Sequence, residues 1–141
     1  MYECGVLRCF KAKHALVGDF GDESKPHTHN YRVEISVKGP SLDEDGFLFN
    51  LAELEEKSDE VIRSLLSYPS LNQVPGIKGK NPSTENLATY ILESIARKLD
   101  LGHLESLAVT VWESESAWAS YISSAEEQRR KVGNENRAHG L

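Results

Sequence analysis

The sequence predicts an α+β domain: a four-stranded antiparallel sheet with two helices on one face, in the order ββααββ. Three observations carry this reading. Residues 27–38 alternate apolar and polar with period two. Two stretches between Asn50 and Gly102 carry apolar stripes at helical spacing behind helix-start signals. A second pair of short alternating segments follows at 106–122. Strands that flank a pair of helices bury both element types in one two-layer core.

The first strand is read from Tyr2 to Leu16. The second is the clearest element. Its odd positions are His27, His29, Tyr31, Val33, Ile35 and Val37, and its even ones Thr28, Asn30, Arg32, Glu34, Ser36 and Lys38. One face is therefore apolar and the other polar. Gly39-Pro40 ends it. A helix starts near Asn50, which forms a capping-box pattern with Glu53. Leu51, Leu54, Val61, Leu65 and Leu66 make its apolar stripe, and Pro69 stops it. A loop rich in Asn, Pro, Gly and Lys runs from Asn72 to Pro82. The second helix opens at Asn81-Pro82-Ser83-Thr84-Glu85, where a polar cap, a proline and an acid are start signals. Leu87, Ile91, Ile95 and Leu99 recur every fourth residue, and Leu101-Gly102 closes the helix. The third strand is read over Ser106–Glu113 and the fourth over Ala117–Ile122. Residues 1–122 form a single domain in this reading. Residues 123–141, with four basic and three acidic side chains, are a polar tail, either a short frayed helix or disordered. Four strands leave two edges, which predicts pairing between copies of the chain.

Composition narrows the function. The 141 residues suit one core, and 39% hydrophobic against 27% charged residues is an ordinary soluble balance. Sixteen Lys+Arg against 22 Asp+Glu give a net charge of −6, and no basic cluster precedes the tail, which argues against nucleic acid as a partner. No apolar run approaches the roughly 20 residues of a membrane span. Glu3 and Arg8 interrupt the start of the chain where an export signal would be apolar, which predicts a cytoplasmic protein. Cys4 and Cys9 are five apart on one strand and point to opposite faces, so they are expected as free thiols.

Three histidines and two glutamates stand out. His27 and His29 leave the same strand face, and His14 lies near the end of the strand that pairs with theirs. Three imidazoles converging on one point make a catalytic-type zinc site with an open fourth position. The alternative is a His-x-His pair on the surface beside a loop. His103 follows a helix-ending glycine and reads as surface or capping, and His139 lies in the tail. Glu113 shares parity with Leu107, Val109 and Val111, so its carboxylate points as the core does, unless the strand has already ended and it is solvated. A carboxylate held there can grip paired N–H donors, such as the guanidine-like edge of a pterin or guanine.

The chain resembles the 6-pyruvoyl-tetrahydropterin synthase and 6-carboxy-tetrahydropterin synthase family. The matching stretches, in the family's order, are Phe10-Lys11-Ala12-Lys13-His14, His27-Thr28-His29-Asn30-Tyr31, Asp45-Gly46-Phe47-Leu48-Phe49-Asn50-Leu51, Leu71-Asn72, Asn81-Pro82-Ser83-Thr84-Glu85-Asn86-Leu87-Ala88 and Val109–Glu113. The resemblance implies the tunnelling fold (T-fold), with trimers whose sheets join into a barrel, and hexamers formed by stacked trimers. It implies zinc on His14, His27 and His29, a pterin ring held by Glu113 with Ser83 and Thr84 close by, and 7,8-dihydroneopterin triphosphate as substrate.

Three departures bear on the chemistry. Glu23 stands where the family usually has a proton-abstracting cysteine. Ser67 and Tyr68 stand where it has an Asp-His dyad. Thr28 and Asn50-Leu51 replace a glycine and an Asp-Phe pair. A subgroup of the family carries glutamate in place of the cysteine and is associated with side-chain cleavage to 6-hydroxymethyl-dihydropterin. Glu23 is accordingly either a catalytic base or a solvated residue of a charged loop.

Overall fold

The alternating stretch becomes the central strand of the sheet, β2 (His27–Gly39), in a computed structural model that describes residues 1–138. His139 lies outside the described residues. β1 (Tyr2–His14) pairs antiparallel with all of β2, from Tyr2 opposite Gly39 to His14 opposite His27. β3 (Ser106–Trp112) lies on the other side of β2, and β4 (Trp118–Ser124) follows it, giving the order β1-β2-β3-β4. The last β2–β3 pair is Arg32 opposite Trp112, so residues 27–31 of β2 run on beyond the end of β3. The histidines sit on that extension.

Period-two alternation sorts the two faces as the sequence predicts. Tyr31, Val33, Ile35 and Val37 are buried, while Thr28, Asn30, Arg32 and Glu34 are exposed. The helical layer covers the buried face. α1 (Leu51–Leu66) is capped by Asn50, whose side chain accepts from the Glu53 N–H. Its buried stripe is Leu54, Ser58, Val61, Ile62 and Leu65, whereas Leu51 and Leu66 are exposed. The predicted stripe was thus too wide: those two leucines are one step round the helix from the face that meets the sheet. α2 (Thr84–Ala96) buries Leu87, Ile91 and Ile95 almost completely. Each such side chain contributes roughly 1.5–3 kcal/mol by leaving water.

Several boundaries differ from the sequence reading: β3 ends at Trp112 rather than Glu113, and β4 runs from Trp118 to Ser124 rather than from Ala117 to Ile122, so it passes the expected domain end at 122. β1 stops at His14 instead of Leu16. α2 ends at Ala96 rather than at Leu101, because Lys98 N–H bonds the Ile95 carbonyl and Leu99 N–H the Ala96 carbonyl, a tighter pattern that terminates the helix. Its cap is Ser83 and not Asn81, whose side chain is taken by the backbone of Val17. The sheet also carries a third helix, α3 (Ala125–Ala138), which follows β4 directly and buries Gln128 against Ser123, to whose hydroxyl its amide donates.

One ion pair ties the layers together at the β1 edge. Arg8 Nε donates to Asp59 Oδ1 at 2.7 Å and Nη2 to Glu55 Oε2 at 2.8 Å, holding α1 on β1 with two opposite-charge contacts. Arg8→Ala is expected to cost about 1 kcal/mol, read as a lower urea midpoint. Arg8→Lys should recover only part of it, since an ammonium cannot fork between two carboxylates. An unchanged midpoint in Arg8→Ala would mean that the pair contributes nothing.

Candidate functional site

The β1–β2 register brings the predicted histidines together. His14 and His27 are direct partners across the strands, and His29 lies two residues along β2, opposite Ala12. His14 Nε2 is 2.9 Å from His27 Nε2, which is 3.1 Å from His29 Nε2. Glu23 joins them from the short 3₁₀ turn at Gly21–Ser24, with Oε2 3.1 Å from His27 Nε2. One ligand atom from each of these four residues lies within 4.8 Å of all the others.

Backbone carbonyls set the ring orientations. His14 Nδ1 donates to the Pro82 carbonyl at 2.8 Å, and His27 Nδ1 to the Lys25 carbonyl at 2.7 Å. With Nδ1 committed as donor, each Nε2 presents its lone pair to the centre. Facing lone pairs at these distances repel unless a cation lies among them. A tetrahedral site with Zn–N near 2.0–2.1 Å spaces its nitrogens about 3.3 Å apart. The donor set and its spacing therefore fit a zinc ion. The carbonyl of Pro82 is itself positioned by a polar frame the sequence reading did not assign. Asn72 bonds both backbone groups of Ala15, accepting at 2.9 Å and donating at 2.8 Å. Asn81 does the same for Val17. These two side chains fasten the loops before α2 to the end of β1.

Glu113 lies one residue past β3, and its N–H donates to the Ala117 carbonyl across the β3–β4 turn. It is half-buried, as its parity with the core positions suggested. Thr84 Oγ1 donates to its Oε2 at 2.8 Å. Ser83 is committed to capping α2, accepting from the Asn86 N–H. A cavity of about 290 Å³ is lined by His14, Glu23, Ser83, Thr84 and Glu113, with Leu16 and Glu85 completing its wall. A second hollow of about 510 Å³ borders His29, Arg32, Trp112 and Glu113. Cys4 and Cys9 are free and lie outside both.

Burial holds His14 below its ordinary value of 6.5, and His27 and His29 push the same way against the Pro82 hydrogen bond and the charge of Glu113. Burial, aided by Glu113 and Glu23, raises the Tyr31 phenol above its ordinary range, so it stays neutral 3.4 Å from His14 Nδ1. The depressed His14 has a consequence for the metal-free protein. The unfolded chain takes up a proton near pH 6.5, whereas the folded one resists it until lower pH. Stability from this group is complete above pH 6.5 and is lost as pH falls from there through the folded-state value. Urea midpoints are expected to drop between about pH 7.5 and about pH 5.5, and to drop less in His14→Gln. Equal losses in both proteins would remove His14 from this account.

The synthase named 6-pyruvoyl tetrahydrobiopterin synthase in Dictyostelium discoideum is 32% identical over 97 residues, 61% of this chain and 72% of that protein. The dihydroneopterin monophosphate aldolase of Pyrococcus furiosus is 29% identical over 104 residues, 74% of this chain and 82% of that one. In four animal synthases the matched stretch is 44, 50, 61 and 64% of the relative's length, less than two thirds. The crystal structure of Plasmodium vivax 6-pyruvoyl tetrahydropterin synthase shares the fold with a TM-score of 0.69 at 20% identity, covering 88% of this chain and 99% of that one. Two other structures of that protein carry alanine or cysteine in place of a glutamate described as its catalytic residue. A family model described as 6-pyruvoyl tetrahydropterin synthase matches residues 4–124, from β1 to the end of β4, and so takes in every residue of the histidine cluster and the pocket beside it. On that match the chain belongs to the 6-pyruvoyl tetrahydropterin synthase family of lyases.

Proposed function

We propose that this protein is a zinc-dependent lyase acting on 7,8-dihydroneopterin triphosphate or a related pterin, with Glu23 as the base that opens side-chain cleavage. The observation that carries the reading is the single cavity in which His14, Glu23, Thr84 and Glu113 meet. His14, His27 and His29 hold the metal. Bound there, zinc lowers the pKa of a substrate hydroxyl and stabilises negative charge on oxygen. Glu113 takes the paired N–H donors of the pterin ring through its carboxylate, which Thr84 holds in place. Glu23, beside the histidines, accepts the proton of a side-chain hydroxyl. The neighbouring C–C bond then breaks, the hydroxyl carbon leaves as an aldehyde, and the ring-side carbon takes up a proton to give 6-hydroxymethyl-dihydropterin. The aldolase name of the Pyrococcus furiosus relative supports this choice of reaction.

A second reading has an observation of its own. Ser67 Oγ donates to the Ser64 carbonyl at the end of α1, and Tyr68 packs against the core. Both residues in the usual dyad positions are occupied with holding the fold, which favours a catalytically inactive pterin- or purine-binding homologue. Incubating the zinc-loaded protein with 7,8-dihydroneopterin triphosphate and following products by mass separates the two. The expected product is 6-hydroxymethyl-dihydropterin. Absence of any turnover with metal fully loaded rejects the lyase and leaves the binding protein.

The working unit is a homo-oligomer in this proposal, a trimer or a hexamer made of two trimers. The outer sheet face and the β4 edge support it, since Leu7, Trp118 and Ile122 are 50, 57 and 70% exposed. Neighbouring copies then complete each pocket, and solution mass tests the assembly.

A further inference from the structure

We propose that Glu23 is the fourth ligand of the metal centre in the substrate-free protein and gives that position up when a hydroxylated pterin enters. The inference rests on the reading above that His14, His27 and His29 hold zinc, and it assigns the resting state of that site. A three-histidine centre ordinarily keeps its fourth position for water. Here a carboxylate oxygen, Glu23 Oε2, lies 3.1 Å from His27 Nε2.

The surroundings of His27 carry the argument. Its Nε2 has three close neighbours: His14 Nε2 at 2.9 Å, His29 Nε2 at 3.1 Å and Glu23 Oε2 at 3.1 Å. Its Nδ1–H is already given to the Lys25 carbonyl. In the neutral ring Nε2 then carries a lone pair rather than a proton, and it faces the Glu23 carboxylate across 3.1 Å. The ligand atoms of the three histidines and of Glu23 all lie within 4.8 Å of one another, a donor set of three N and one O that suits a four-coordinate site.

The chain places Glu23 there from both sides. The Leu16 N–H donates to the Glu23 carbonyl at 2.8 Å, which ties the 3₁₀ turn to the chain just beyond β1. The Ser24 hydroxyl accepts from the Phe20 N–H and donates to the Gly18 carbonyl. Lys25, two residues on, supplies the carbonyl that orients His27. One short loop thus provides a ligand and the support of another ligand. The Glu23 side chain itself is 56% exposed and is held by no second partner among the described residues, so it can swing away without disturbing the core. Displacement by a substrate hydroxyl frees the carboxylate next to the proton it is to remove. The same side chain then closes the site at rest and serves as base when substrate is bound.

Cobalt(II) in place of zinc tests this by its visible absorption, which reports coordination number and donor type independently of turnover. Wild type and Glu23→Ala are loaded with one equivalent of cobalt, and zinc affinity is measured by chelator competition. The expected result is a four-coordinate band in the wild type that shifts and weakens in Glu23→Ala as water enters, with zinc affinity lower by about 10–100-fold. Saturating 7,8-dihydroneopterin should shift the wild-type band as well. Identical bands and affinities in the two proteins would overturn the assignment while leaving the three-histidine centre intact. A wild-type band that ignores the pterin would overturn the displacement. Failure of the wild type to take up stoichiometric metal would overturn the zinc reading itself, and this inference with it.

Discussion

His27→Ala is expected to empty the metal centre and reduce turnover by about a thousandfold or more, a loss of about 4 kcal/mol in transition-state stabilisation. His27 is the histidine whose nitrogen lies within 3.1 Å of both other imidazoles and of Glu23. Its removal leaves His14 and His29 without the ligand between them. It is also the right position for a clean test. The side chain is 25% exposed, whereas His14 is 2% exposed and stands over Tyr31. Truncating His14 would open a hole in the core and mix a folding defect with a metal defect. Metal content after dialysis, thermal melting and turnover should be measured on the same preparations. The expected pattern is an intact melt in the metal-free state, metal close to zero and product formation close to background. Retention of a full equivalent of metal by His27→Ala would sink the assignment of the three histidines.

How far this centre could be read from the sequence depends on which kind of contact is asked about. Period-two alternation put His27 and His29 on one face of β2, and hairpin pairing put His14 across from them, because side-chain direction in a strand follows from position alone. The same parity placed Glu113 toward the pocket although β3 ends one residue before it. The Asn50 cap was legible for a similar reason, since an oxygen at the N-cap meets the Glu53 N–H by local geometry. What escaped was contact between segments far apart in the chain. The carbonyls of Pro82 and Lys25 orient two of the imidazoles, but a carbonyl belongs to every residue and leaves no trace in composition. Asn72 and Asn81 sit in a loop whose polar content read simply as loop, and Asn81 also looked like a helix cap. Thr84 was named only through the family resemblance, and its bond to Glu113 spans 29 residues. Leu51 and Leu66 fit the α1 stripe by spacing, yet both are exposed in the structure. The polar composition of residues 123–141 left a short frayed helix and disorder both open, and α3 takes the first course, attached to β4 and burying Gln128 rather than an apolar stripe.

Removing the ring anchor should produce the second large effect. Glu113→Ala is expected to weaken pterin binding by about 2–5 kcal/mol, roughly 30- to 4,000-fold in Kd, with metal content unchanged. The carboxylate has one oxygen engaged by the Thr84 hydroxyl at 2.8 Å and lies against both the 290 Å³ cavity and the 510 Å³ hollow. It therefore has acceptor capacity left for two N–H groups on one edge of a bicyclic ring, the pairing that a carboxylate makes best. Two companion variants give the loss its meaning. Glu113→Gln keeps the shape but replaces one acceptor oxygen with a donor amide, so it should bind almost as poorly as the alanine variant. Thr84→Val keeps the bulk and removes only the hydroxyl, so it should weaken binding by about 1 kcal/mol through a less fixed carboxylate. Calorimetry with a dihydropterin that lacks the side chain isolates ring recognition from any contribution of the metal. If that ligand binds Glu113→Ala as tightly as it binds the wild type, the carboxylate does not hold the ring, and both the lyase and the binding-protein readings lose their anchor. If the Gln variant binds normally, shape rather than charge is what the ring meets at this position.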